Sequence, residues 1–439
     1  MLKGNRRLVG IATALVLVAS ACTSGSSASP AASTAASAGA SESASAAAAP
    51  QELKIGIEGP FSGPNARTGE EIKDASTMAF DAINWTVGPY KIVPVYIDDQ
   101  SDPAKGAAAY EQAIAGQGIV AGVLGWHSSV AVAQMEVTAK YKVPHFFAMG
   151  ATGVVNEKFK ADQAKYGYWT TKGWPDPAKL SIAYVTALND AITAGSWTPA
   201  AKKVAIYGED TDWGRSFGAG LKAGFESTGW TTVSEDYFPT TQTDFSALIG
   251  RYKADSVPVL AGTSTIPASI SAFIKQADDA GLKSMIVADG LGWIGEWYKL
   301  TGTSSNYVLD AIPGWTTDAA KKFAADFKTK FGFDPGPSAA GLSYDWTNFF
   351  IKVLQTTLAD QGKLTSETIY KTAQDKIWTG QLTYTDGIIM KRYAFSADTI
   401  PDPVLGKADY IFPVLQYHEG VGTVVWPDEW KTGVIQPKP

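Results

Sequence analysis

The sequence predicts an α/β protein with two doubly wound parallel sheets, each in its own lobe. Three observations predict it. Strand and helix patterns alternate in one block up to about Phe147 and restart in a second block after Trp174-Pro175-Asp176. The chain has 439 residues, too many for one simple core and suited to two lobes of ordinary domain size. From Trp378 onward the texture changes to Gly, Pro, Tyr and short alternating runs such as Tyr410 to Tyr417, which reads as strands added antiparallel near a lobe junction.

The elements follow in order. Leu53 to Ile57 alternates as a strand and turns at Gly59-Pro60-Phe61-Ser62-Gly63-Pro64. Thr68 and Glu71 have capping-box spacing, and Ile72, Ala75, Ala79 and Ile83 recur at helical intervals behind them. Ile92 to Ile97 is a second strand. Asp98 to Asp102 is a polar turn, with Asp102 as N-cap and Pro103 as the first helical residue. Gly118 to Leu124 then leads through the loop Trp126-His127-Ser128-Ser129 into a helix ending near Tyr141, and Val143 to Phe147 is the next strand. The second block reads as helix Leu180 to Ala194, strand Val204 to Tyr207, and helix Ser216 to Thr228. Strand Val257 to Ala261, helix Ser269 to Ala280 and strand Met285 to Ala288 follow.

Ahead of the globule stands an export signature. Lys3, Arg6 and Arg7 precede the apolar run Leu8 to Val18, which is too short to anchor as a membrane span, and Ala19-Ser20-Ala21 is a small-residue cleavage stretch. Cleavage leaves Cys22, the only cysteine, at the new N-terminus. Residues 1–21 are thus read as a signal peptide and 22–51 as a tether, since Thr23 to Pro50 is nearly all Ala, Ser, Gly, Thr and Pro. Such a linker reaches roughly 30 Å. The formal charge of −6 becomes more negative without Lys3, Arg6 and Arg7, which argues against a nucleic-acid partner. A single cysteine excludes an internal disulfide.

Several stretches in fixed order carry a family resemblance. They are Leu53 to Gly69; Tyr96-Ile97-Asp98-Asp99-Gln100-Ser101-Asp102-Pro103; Val123-Leu124-Gly125 with Ser128-Ser129; and Val143-Pro144 running into Gly150-Ala151-Thr152. In the second block they are Lys203 to Gly208, Gly214, Thr243-Asp244-Phe245-Ser246, and Gln276-Ala277 with Gly281-Leu282-Lys283. With these the chain resembles the solute-binding lipoproteins that feed branched-chain amino acid (Leu/Ile/Val) ABC importers, of the type I periplasmic binding protein fold. Cys22 resembles the cysteine of a lipobox, with Ala19 in place of the usual Leu; an ordinary secretory signal with an incidental cysteine is the alternative.

The resemblance implies an interlobe ligand cleft and three chain crossings, placed near Lys172, Tyr307 and Trp378. Lobe one then takes 52–172 and 308–378, and lobe two takes 173–307 and 379–439. It implies that Ser129 and Thr152 hold the ligand's carboxylate, that the Gly150 carbonyl and Asp289 meet its ammonium, and that Trp213 occupies a usually aromatic position. Ser128-Ser129 at a helix start also suit an anion through free backbone N–H groups, although plain N-capping is the commoner role. Where the family carries an aromatic before the first helix and a tyrosine after the Val257 strand, this chain has Arg67-Thr68 and Thr263 to Pro267. In exchange Trp126, Trp174, Trp213 and Trp293 fall in loops after strands or at the lobe junction, with Trp174 and Trp213 the stronger ligand candidates for a bulky or flat solute.

The function implied is capture of a small molecule, an amino acid or related carboxylate, by a monomeric receptor that is lipid-anchored through Cys22 at the outer face of the cytoplasmic membrane. Its partners would be an ABC permease and ATPase, with no cofactor or metal. A ligand-binding sensor component is an alternative. An exported hydrolase is a weaker one, resting on His127-Ser128-Ser129 with no G-x-S-x-G elbow. Gly218 to Ala223 fails the dinucleotide fingerprint, and Glu209-Asp210-Thr211-Asp212 reads as a solvated acidic loop before it reads as a cation site.

Overall fold

The computed structural model describes residues 49–439 apart from positions 313, 316, 407 and 408. Cys22, the leader and nearly all of the linker lie outside the described residues. Residues from Pro50 to Pro439 form one compact unit.

The first block runs β1 (Gln51–Gly59), α1 (Ala66–Ala82), β2 (Thr86–Val87), β3 (Tyr90–Asp98), α2 (Pro103–Ala115), β4 (Ala121–Leu124), α3 (Ser128–Tyr141), β5 (His145–Phe147), α4 (Gly153–Ala161), α5 (Gln163–Tyr166) and β6 (Thr171–Lys172). Its sheet has the order β2-β3-β1-β4-β5-β6, parallel except for the β2–β3 hairpin. The second block runs α6 (Pro177–Thr193), β7 (Lys203–Glu209), α7 (Asp212–Ser227), β8 (Thr231–Phe238), α8 (Ser246–Ala254), β9 (Val259–Thr263), α9 (Pro267–Asp279), β10 (Met285–Asp289), α10 (Trp297–Thr301) and β11 (Leu309–Ala311). Helices α11 (Asp318–Phe331), α12 (Ser343–Gln361) and α13 (Ser366–Thr372) follow, and the hairpin β12 (Val414–His418) and β13 (Val421–Trp426) closes the second sheet as β13-β12-β11-β10-β9-β7-β8. Two doubly wound sheets, parallel at their centres, are the architecture predicted.

Local chemistry explains these elements. Strands β4, β9 and β10 are buried along their whole length, as befits central strands covered by helices on both faces. Asp102 caps α2 by accepting from the Ala104 and Lys105 N–H groups, with Pro103 in the first turn. Asp176 with Pro177 repeats the device at α6, and Thr211 caps α7 by accepting from Gly214 N–H.

The structure also departs from the sequence reading. The Thr68–Glu71 capping box does not form: α1 begins at Ala66, and Glu71 instead turns its buried carboxyl group to the backbone N–H groups of Gly336 (2.7 Å) and Gly295 (3.2 Å). Helix α7 starts four residues before Ser216, because Thr211 caps it there. The chain leaves the first sheet after Lys172, but β11 pairs with β10 and β12, so Leu309 to Ala311 belong to the second sheet. Tyr384, Tyr393 and Phe395 pack on Trp346 and Phe349 of α12, a helix that rests on α1 and β4. The last passage to the second sheet therefore comes ahead of β12 rather than at Trp378.

Candidate functional site

A cavity of about 470 Å³ lies between the two sheets. Its lining residues almost all follow the C-terminal ends of parallel strands, where open α/β sheets place their ligand crevices. Pro64 comes after β1, Ser101 and Pro103 after β3, Trp126 to Val130 after β4, Met149 after β5 and Trp174 after β6. From the second sheet come Glu209 to Thr211 and Trp213 after β7, Pro239 and Thr240 after β8, Thr265 and Ile266 after β9, and Trp293 after β10.

The four indoles line this space together. Trp293 is the hub, with ring centroids 5.4 Å from Trp126, 5.7 Å from Trp174 and 5.6 Å from Trp213, all at steep angles. Trp126 comes from the first block and Trp293 from the second, so this contact bridges the lobes. Trp213 is oriented by donating Nε1–H to Thr263 Oγ1 (3.0 Å), whose own hydroxyl donates to the Asp289 carbonyl (2.9 Å). The Nε1–H groups of Trp126, Trp174 and Trp293 are buried and have no hydrogen-bond partner among the described residues. Trp293 lies over Gly290, where φ is +97° and an added Cβ would come within 3.0 Å of the indole. Only glycine suits that turn.

Helix α3 opens into the same space. His127 stands at its N-cap in extended conformation without a side-chain cap bond, and the first bond inside the helix is Ala131 N–H to the His127 carbonyl. The N–H groups of the turn before it face no acceptor of the helix. The His127 ring accepts at Nε2 from Asn65 Nδ2–H (3.0 Å), and loss of water around it lowers its pKa to about 4, so the imidazole is neutral. That pairing takes His127 away from the Ser128 and Ser129 hydroxyls. Ser129 Oγ accepts from the Asp212 N–H (3.4 Å) at the start of α7, and Gly153 N–H donates to Ser216 Oγ (3.2 Å); the lobes meet across the cleft at both points.

The other residues singled out from sequence have these places. Ser128 lines the cavity, but its hydroxyl accepts from the N–H groups of Ala151 and Thr152, at 3.2 Å each, and so ties α3 to the turn before α4. Thr152 is buried and caps α4 through Val154 N–H. Gly150 is buried against Phe147 and Ala131. Asp289 is buried behind the cavity wall and accepts from Tyr184 OH (2.7 Å); burial and the nearby Asp310 push its pKa well up. Gly150, Thr152 and Asp289 are absent from the lining, whereas Ser128, Ser129, Trp174 and Trp213 are part of it.

Sequence reasoning did not assign Glu209 to the cavity. It is buried there, with Oε2 accepting from Thr265 N–H (2.6 Å) and Thr265 Oγ1 (2.8 Å), and Oε1 from Thr211 Oγ1 (2.9 Å). Thr265 stands 56 residues away, so no local signal marks the pair. Asp210 pairs with Arg215 at 2.6 Å. Among the described residues no group of three or more His, Cys, Asp or Glu side chains is placed to hold a metal ion.

The sequence profile of the periplasmic binding protein family matches residues 52–395. The chain belongs to the periplasmic binding protein family. Within that family it is similar to the Leu/Ile/Val-binding protein BraC3 of Rhizobium johnstonii, at 26% identity over 288 residues, 63% of this chain and 71% of that protein. Its fold is similar to that of the branched-chain amino acid transporter substrate-binding protein LivJ of Streptococcus pneumoniae, solved with isoleucine (TM-score 0.68, 18% identity, 85% of this chain and 98% of that one). It is equally similar to a solute-binding protein of an ABC transporter from Rhodopseudomonas palustris BisB5, solved with 3,4-dihydroxybenzoic acid (TM-score 0.68, 21% identity, 83% and 93%). Among the described residues no helix is long and apolar enough to cross a membrane.

Proposed function

We propose that this periplasmic binding protein captures a small solute with a carboxylate head between its lobes and delivers it to an ABC permease and ATPase. The observation that carries the reading is the uncapped start of α3 opening into an indole-lined cavity of about 470 Å³. Free N–H groups and the helix dipole there favour an anion. The unpartnered indole N–H groups of Trp126, Trp174 and Trp293 add donors in the same wall. Relatives solved with isoleucine and with 3,4-dihydroxybenzoic acid support an acid head without deciding what lies behind it. Ser129 sits at the cleft and contributes a hydroxyl, and Trp174 and Trp213 flank the solute. In this reading Gly150, Thr152 and Asp289 act from behind the wall, or meet the ligand after a rearrangement of it. Export and lipidation at Cys22 hold the receptor, as a monomer, at the outer face of the cytoplasmic membrane.

The test is a thermal-shift screen on residues 50–439, the compact unit, with acids paired against their primary amides. Acids raise the melting temperature and amides do not, and Ser129→Ala weakens the response. Equal shifts from acid and amide refute the carboxylate pocket.

A further inference from the structure

The cavity holds a carboxyl group that has no cationic partner among the described residues. Glu209 is 1% exposed and lines the cleft, yet no Lys or Arg is among the lining residues and no salt bridge reaches it among the described residues. Arg215, six residues on, is paired with Asp210. A buried carboxylate without a cation is costly unless a positive group joins it.

The surroundings of Glu209 say what kind of positive group. Thr265 N–H, Thr265 O–H and Thr211 O–H already converge on its two oxygens. Few lone pairs remain for an ammonium that must place three N–H donors. Four indoles, Trp126, Trp174, Trp213 and Trp293, present rings to the same space, while the other lining carboxylate, Asp210, is paired with Arg215 and the Ser128 and Ser129 hydroxyls already accept from backbone N–H groups. Aromatic rings attract a cation without accepting conventional hydrogen bonds, and they suit one wrapped in alkyl groups.

We infer that the cleft is built for a solute whose positive charge sits on an N-alkylated, quaternary-type nitrogen, held by the indoles and by the field of Glu209 instead of by N–H hydrogen bonds. The anchor for positive charge is then Glu209, while Asp289 stays engaged with Tyr184 behind the wall. With a carboxylate at α3 the solute is a zwitterion; that half alone rests on the function proposed above.

The test uses isosteric pairs that differ only in charge, measured by calorimetry on residues 50–439. One pair is choline and 3,3-dimethylbutanol; the other is glycine betaine and 3,3-dimethylbutyrate. The charged member of each pair binds at least about ten-fold tighter, a gap of the size aromatic cages provide. Glu209→Gln removes most of that preference, and the wild-type comparison stands even where the variant folds poorly. Equal affinities within both pairs, tighter binding of the carbon isosteres, or no binding of any of the four overturns the inference. If 3,3-dimethylbutyrate matches glycine betaine, the carboxylate reading survives and the cation site does not. If choline binds as tightly as glycine betaine and far above its isostere, the cation site stands and the carboxylate reading falls.

Discussion

Replacing Asp402 by Ala should cost this protein more than any single surface change. Asp402 is fully buried, with Oδ1 at 2.9 Å from Lys172 Nζ, and Oδ2 accepting from Lys179 Nζ (2.8 Å), Asn156 Nδ2 (2.9 Å) and Asp176 N–H (3.2 Å). Lys172 is equally buried and also donates to the Ala151 carbonyl (3.0 Å) and Asn156 Oδ1. Removing the carboxylate strands that ammonium, and breaking one side of such a buried pair costs about 3–5 kcal/mol. Urea unfolding of Asp402→Ala should show this loss, while Lys172→Met with Asp402→Leu should return to within about 1 kcal/mol of the parent, since neither charge is then left unpaired. The pH dependence has a definite sign. The lysines hold the Asp402 carboxyl below its usual range, so its contribution is full above that range and is lost as pH falls through the lowered value. A single-variant loss below about 1 kcal/mol, the level of an exposed pair, would refute the reasoning.

Three further predictions concern the cleft and the buried groups around it. Asp310 accepts from Gly290 N–H, Gly292 N–H and Tyr417 OH, and so fixes the loop that carries Trp293; Asp310→Ala should weaken ligand binding and alter tryptophan fluorescence, with Asp310→Asn partly restoring both. Burial pushes Glu71 up to about 8, so the native state holds a proton that the unfolded chain releases near its ordinary value of 4.5; stability should fall as pH rises through that window, and Glu71→Gln should flatten the slope in a melting series. Burial lowers His127 to about 4 and His145 to about 3, which gives the opposite slope below about 6.5, where the unfolded chain gains protons first.

Where a signal is local, the sequence shows it. Asp102-Pro103 announces α2 to the residue, and the apolar runs at Val204 to Tyr207 and Met285 to Ala288 announce central strands of the second sheet. Strand β8 is harder to see, because its side chains alternate between exposed and half-buried at an edge. Thr68 and Glu71 have the right spacing for a cap, but Glu71 holds the distant loops at Gly295 and Gly336 instead, a purpose that no window of sequence reveals. The site follows the same division. Loops after strands bring Trp126, Trp174, Trp213 and Trp293 to the cleft by topology alone. Glu209 needs a partner 56 residues away, and the withdrawal of Asp289 behind the wall depends on Tyr184, 105 residues earlier.

The hairpin β12–β13 seals the second sheet against β11, a strand about a hundred residues upstream. Synthesis proceeds from the N-terminus, so that edge stays raw until almost the whole polypeptide has emerged. Such late, sequence-distant pairing slows maturation and leaves an adhesive border open meanwhile. Fusions or deletions at the C-terminal end would therefore be felt first as clumping during production, before any defect in the grip on solute.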